Sequence, residues 1–162
     1  MADNNPGTPE SPAHPQAHTD DNQLIALRRE RLQEIRAQRQ AYPNDFERKH
    51  TAAELIAEFG EKTKDELAAL VKHAAVAGRI IRSRGPFLVL LDGTDQIQLY
   101  LNNKSFPAAE AAEIKALDLG DIIGAEGMLF KTDKGELTVR VHSFKLLVKS
   151  LRPLPDKHKG LT

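Results

Sequence analysis

From residue 73 onward the apolar positions recur with a period of two. Residues 96–101, Gln-Ile-Gln-Leu-Tyr-Leu, alternate strictly. Side chains of a strand point to opposite sides in turn, so Ile97, Leu99 and Leu101 share one face and Gln96, Gln98 and Tyr100 the other. The same pattern predicts five strands, over 73–84, 87–92, 96–101, 121–130 and 136–149. Gly85-Pro86 makes a tight first connection and Asp92-Gly93 a second turn. Thr132-Asp133-Lys134-Gly135 reads as a hairpin, with Gly135 supplying a positive φ. On the last strand Leu137, Val139 and Val141 face inward, opposite Glu136, Thr138, Arg140 and His142. That alternation breaks near Ser143-Phe144, which predicts a bulge or bend. Between the third and fourth strands, residues 107–116 (PAAEAAEIKA) read as a helix with proline in its first turn.

The pattern before residue 73 is helical. From an N-cap at Asp21 or Asn22 to about Gln40, Leu24, Leu27 or Arg28, Leu32 and Ile35 form one stripe, with Arg29, Arg36 and Arg39 largely off it. Glu30 and Glu34 stand where they can pair with neighbouring cations along the helix. Pro43 forces its predecessor out of the helical region and ends the helix, and Tyr42 and Phe46 are expected to pin the connector to the domain. Two short helices follow, each opened by a capping box: Thr51 with Glu54, and Thr63 with Glu66. Gly60 is placed as a left-handed terminator of the first.

The expected fold is therefore mainly β with N-terminal α-helices: a five-stranded OB-fold barrel with a helix between strands 3 and 4. Such a barrel offers the face of strands two and three to its ligand. The chain divides into a tail (1–20), a helical segment (21–72), the barrel (73–151) and the start of a hinge (152–162). The tail holds four prolines among mostly small and polar residues and carries no large aliphatic side chain after Met1, so disorder is expected there.

Composition narrows the choice of function. The 162 residues hold 23 basic and 23 acidic side chains, so a polyanion would have to be held by a local patch and not by the field of the whole molecule. There is no cysteine, which excludes disulfides and thiolate metal sites and fits a reducing compartment. No apolar run nears the roughly 20 residues that span a bilayer, and the N-terminus lacks a signal-peptide pattern. A cytoplasmic protein with no membrane partner is expected. The six histidines are scattered without partners, so no metal is expected.

The face of Gln96, Gln98 and Tyr100, with Arg79, Arg82 and Arg84 nearby and a ring at Phe87, combines stacking, amide hydrogen bonds and positive charge. Those are the means by which unpaired bases are held. The alternative is an ordinary half-solvated sheet face. For Phe87, which precedes a run apolar on both faces, it is a place in the core. For Arg29, Arg36 and Arg39 the choice lies between an RNA backbone contact and a solvated charged helix face.

Several stretches together resemble the N-terminal region of lysyl-tRNA synthetase, a class II enzyme: YPNDF (42–46), VAGRI (76–80), QIQLYL (96–101), DLGDIIGAEG (118–127), LFKTDKGELTV (129–139) and KSLRPLPDKHKGL (149–161). They occur in order and cover about residues 22–161. The resemblance implies a domain that reads the anticodon of lysine tRNA, above all its central uridine. It implies a stacking aromatic at Phe87, an amide reading the Watson–Crick edge at Gln98, an acidic contact at Glu136 and a recognition arginine at Arg84. The connection between strands one and two is shorter here than is usual for the family and lacks its lysine, so that arginine could instead be Arg82. For Glu136 a solvated hairpin charge is the alternative. The resemblance further implies ATP and magnesium as cofactors of the parent enzyme and a parent homodimer. This chain is expected to be monomeric and to hold no catalytic residue, since it carries no glycine-rich phosphate loop and no carboxylate cluster suited to magnesium. A general single-strand binder, the related aspartyl or asparaginyl domain and a protein-docking module are the competing expectations.

Overall fold

The structure, a computed structural model, describes residues 16–155. It opens with α1 (Gln16–Gln38), α2 (Ala52–Phe59) and α3 (Lys64–Leu70). The strands follow: β1 (His73–Arg84), β2 (Phe87–Leu91) and β3 (Gln96–Tyr100). After a 3-10 turn at Asn103–Ser105 come α4 (Ala108–Lys115), β4 (Ile122–Lys131) and β5 (Leu137–Val148). The strands close into a barrel in the order β1-β2-β3-β5-β4, with β3 and β5 parallel and every other pair antiparallel. The five strands and the intervening helix fall where the period-two pattern puts them, within about two residues.

The alternation packs the barrel. Leu90, Leu99, Ile123, Leu129 and Val139 are fully buried, and Leu55 and Leu67 bring α2 and α3 onto the same core. Both expected capping boxes are present: Thr51 accepts from the Glu54 N–H and Thr63 from the Glu66 N–H, while each glutamate accepts from the cap residue's own N–H. A second carboxylate, Asp92 in the β2–β3 turn, accepts from the Ala52 N–H at 2.7 Å and fastens α2 to the barrel. Burial opposes the charge on Asp92, but the Thr94 hydroxyl and three backbone N–H groups outweigh it and hold the carboxyl below its ordinary value.

Several expectations are corrected. The helix begins at Gln16, not near Asp21, because nothing in the sequence after Pro15 interrupts it; the rest of the expected tail lies outside the described residues, as does most of the expected hinge. Arg28, not Leu27, takes the inward position on α1, donating to the carbonyls of Arg152 at 2.9 Å and Ser150 at 3.4 Å. Leu24 and Leu27 are left exposed on the part of α1 that precedes this contact. Tyr42 is exposed, and of the two rings it is Phe46 that pins the connector: it lies where a side chain on Gly124 of β4 would stand, so only glycine fits. Gly60 is right-handed (φ −59°), and the left-handed position is Val71 after α3 (φ 49°). The expected break in β5, by contrast, is present as a bulge at His142, next to Ser143, where Glu126 pairs with Ser143 but Gly127 with Val141.

A buried ion cluster joins α1, the α4–β4 turn and the end of the barrel. The ammonium of Lys149 lies 2.6 Å from Asp118 and 2.8 Å from Asp121, and Arg31 of α1 meets Asp118 at 2.7 Å. Asp121 also accepts from the N–H groups of Asp118 and Ser150, so its oxygens are satisfied in full burial.

Candidate nucleic-acid interface

Whether the barrel can present arginines beside Phe87 and Gln98 depends on a break in β1. Ile80 points inward and is buried, so strict alternation would send Arg82 and Arg84 inward with it. The register shifts between Ile80, opposite Leu90, and Arg82, opposite Val89. Ile81 is the extra residue of a bulge, and both arginines turn to the outer face. At the end of the hairpin Gly85 (φ 57°) takes the left-handed first position of the two-residue turn, and Arg84 pairs with Phe87.

Two rows of side chains then cross the outer face. One runs Arg82, Val89, Gln98, Thr138, Phe130, and the other Arg84, Phe87, Tyr100, Arg140. Phe87 is half-buried among outward neighbours and not in the core. A groove of about 700 Å³ is lined by Arg82, Arg84, Phe87 and Gln98, with Lys134 and Glu136 from the β4–β5 hairpin on its far side. The structure thus brings together the four residues singled out for base recognition, and both arginines between which the sequence leaves a choice.

Charge in the groove is biased to the positive side. Among the described residues Arg82, Arg84 and Lys134 enter no ion pair. The neighbouring Asp133 is matched by Lys64 at 2.5 Å, whose hydrogen bond and charge hold that carboxyl below its ordinary value. Gln98 donates through Nε2 to the Thr138 hydroxyl at 3.1 Å, leaving its Oε1 with no partner among the described residues. Thr138 itself, expected on the wet face, is fully buried because Gln98 reaches across it.

The remaining candidates stand elsewhere. Arg79 donates to the Gly120 carbonyl at 2.8 Å, and Arg39 meets Glu113 of α4 at 3.5 Å. Arg29 and Arg36 are exposed on α1 and, like these two, do not line the groove. Three histidines read as scattered are in fact neighbours: His50, His73 and His142 line one small cavity, with the rings of His73 and His142 6.0 Å apart. His50 Nδ1 is taken up by the Ala75 N–H. Among the described residues no group of three His, Cys, Asp or Glu side chains could hold a metal ion.

The sequence reading passed over Phe130 and Arg140. The Arg140 guanidinium lies 4.7 Å from the centre of the Phe130 ring, whose edge meets Tyr100, and Tyr100 in turn meets Phe87. A second cleft of about 540 Å³ bounded by these residues adjoins the groove through Phe87. Their outward positions on β4 and β5 were the available signal.

Residues 74–147 match the family described as OB-fold nucleic acid binding domain. Over 155 residues the chain is 54% identical to the lysine–tRNA ligase of Neisseria gonorrhoeae (strain ATCC 700825 / FA 1090), covering 92% of this chain and 31% of that protein. It is 50% identical over 143 residues to the lysine–tRNA ligase of Hahella chejuensis (strain KCTC 2396), with 88% and 28% covered. With that of Pseudomonas aeruginosa (strain LESB58) it shares 51% over 144 residues, with 88% and 29% covered. The chain spans about a third of the length of the curated relatives it matches. Barrel topology and sequence agree: residues 74–147, which match the OB-fold nucleic acid binding domain family, are the five strands and intervening helix of the closed barrel, within a longer stretch similar to lysine–tRNA ligases.

Proposed function

We propose that this chain reads the anticodon of lysine tRNA, its central uridine above all, as the RNA-recognition part of a lysine–tRNA ligase. The observation that carries the reading is that Phe87 and Gln98 face the same groove beside two arginines that enter no ion pair among the described residues. Phe87 stacks on the base, and Gln98 offers an acceptor and a donor to its Watson–Crick edge. Arg82 and Arg84 take a base carbonyl or a phosphate, and Glu136 closes the groove from the hairpin. In this reading the ATP- and magnesium-dependent joining of lysine to tRNA belongs to the ligase as a whole. Among the described residues no group of three His, Cys, Asp or Glu side chains could hold a metal ion. The setting is the cytoplasm; no described helix is long and apolar enough to cross a membrane.

The test is a titration of the chain with an anticodon stem-loop bearing UUU against one with a changed middle base. Selective binding of UUU supports the reading, and absence of binding sinks it in favour of a protein-docking role. A second reading, general single-strand binding, is favoured by the adjoining Phe87–Tyr100–Phe130 surface, since stacking on rings tolerates any base. Equal affinity for both stem-loops would select it.

A further inference from the structure

We propose that Thr138 is a positioning residue: it fixes which way round the Gln98 carboxamide faces the groove, and so decides uracil against cytosine. The inference rests on the uridine reading and deepens it. Thr138 sits opposite Gln98 in the parallel β3–β5 pair and is fully buried. Its hydroxyl donates to the Glu136 carbonyl at 3.1 Å, and its oxygen accepts from Gln98 Nε2 at 3.1 Å. A hydroxyl has one proton. With that proton spent on Glu136, the oxygen facing Gln98 can only accept, so the glutamine must turn its nitrogen and not its oxygen toward it. The Glu136 carbonyl is in turn held by the Thr132 N–H at 3.1 Å across the hairpin. Polarity therefore passes from a fixed backbone carbonyl, through the hydroxyl, to the amide.

The consequence follows from the bases. Uracil presents the O4 acceptor beside the N3–H donor, whereas cytosine presents the N4 donor beside the N3 acceptor. For a base held in one place by stacking, one orientation of a carboxamide satisfies uracil and the reverse orientation satisfies cytosine. The terminal torsion of glutamine is broad and nearly two-fold, so an untethered amide turns over to suit either. Tethering Nε2 leaves Oε1 and the second N–H in one order, and the wrong pyrimidine then sets donor against donor and acceptor against acceptor.

The experiment measures binding of UUU and UCU stem-loops by the wild-type chain, Thr138→Val and Thr138→Ser. Valine keeps the shape and removes the hydroxyl; serine keeps the hydroxyl. The expected result is that the wild type prefers UUU, that Thr138→Val narrows the preference about tenfold, chiefly by binding UCU better, and that Thr138→Ser restores it. An undiminished preference in a folded Thr138→Val overturns the proposal. A wild type that does not distinguish the two loops overturns the uridine reading itself, which is a separate and visible failure. Should the valine variant not fold, side-chain NMR of the wild type decides. One Gln98 amide proton slowed in exchange and close to the Thr138 methyl supports the tether; two equally fast protons far from that methyl overturn it.

Discussion

Phe87 and Tyr100 stand opposite each other on β2 and β3, with ring centres 5.3 Å apart and planes tilted by 57°. The contact settles the orientation of the Phe87 ring before any ligand arrives. Cross-strand aromatic pairs contribute roughly 0.2–1 kcal/mol to a sheet, whereas stacking a base on a ring contributes about 1–3 kcal/mol to binding. Phe87→Ala should therefore cost more in RNA affinity than in stability. The expected outcome is a loss of at least fivefold in stem-loop binding, with a melting temperature lowered by only a few degrees. Phe87→Tyr should keep most of the affinity. Unfolding of Phe87→Ala would instead give the ring a core role.

The outer arginines divide into two sets with different expected salt behaviour. Each phosphate contact to a single strand adds about 0.7 to the slope of log affinity against log salt. Arg82→Ala and Arg84→Ala should each lower both the affinity and the slope for an isolated anticodon stem-loop if they meet phosphate, and lower the affinity alone if they meet a base. Arg29→Ala, Arg36→Ala and Arg39→Ala should leave both unchanged, since these residues lie on α1 and away from the groove. Binding measured from low to moderate salt checks the division. A slope that responds to the α1 set and not to the β1 set would move the RNA path onto the helix.

The barrel was legible because its strands alternate cleanly where one side meets the core: Ile97 and Leu99 against Gln96 and Gln98 is enough to assign a face. The groove was legible only in part. Phe87 and Gln98 follow from alternation, but Arg82 and Arg84 reach the same face through the bulge at Ile81, and nothing in the run of residues 78–84 marks which position is skipped. The role of Arg28 was hidden for a related reason. A helical stripe shows which residues share a side, whereas the carbonyls of Ser150 and Arg152 that make a buried guanidinium acceptable lie more than a hundred residues away. Thr138 likewise reads as surface until its partner on β3 is known.

Val71 ends α3 with φ 49°, ψ 49°, a left-handed conformation that a β-branched residue takes only at a cost. Its side chain is exposed, so glycine would lose little packing there. Val71→Gly is expected to stabilise the chain by about 1 kcal/mol, read as a higher denaturation midpoint with an unchanged slope. Val71→Ala, which keeps the strained Cβ, should give much less. A destabilised glycine variant would mean that the greater freedom of the unfolded chain outweighs the strain relieved.

The ion cluster beneath α1 gives the fold a defined response to acid. At Asp118 burial works against the charged form, but the Lys149 ammonium and the Arg31 guanidinium outweigh it and hold the carboxyl below the ordinary value of 3.8. A carboxyl whose pKa is depressed in the folded state contributes stability that is fully present above the unfolded value and lost as pH falls through the folded one. Stability should thus fall with acid below about pH 4, and Asp118→Asn should flatten that part of the profile while lowering stability at neutral pH. Asp121→Asn is expected to be worse, by about 3 kcal/mol or more, because it removes a fully buried partner of the buried Lys149. Replacing Lys149 by methionine in the same background should recover part of that loss, since a buried cation left with Asp118 alone, which it shares with Arg31, is then gone. Urea denaturation of the single and double variants across pH 3–7 measures both effects. A double variant no more stable than Asp121→Asn would show that the loss comes from the hydrogen bonds Asp121 accepts from the backbone at Asp118 and Ser150, and not from the ammonium's loss of one of its two carboxylates.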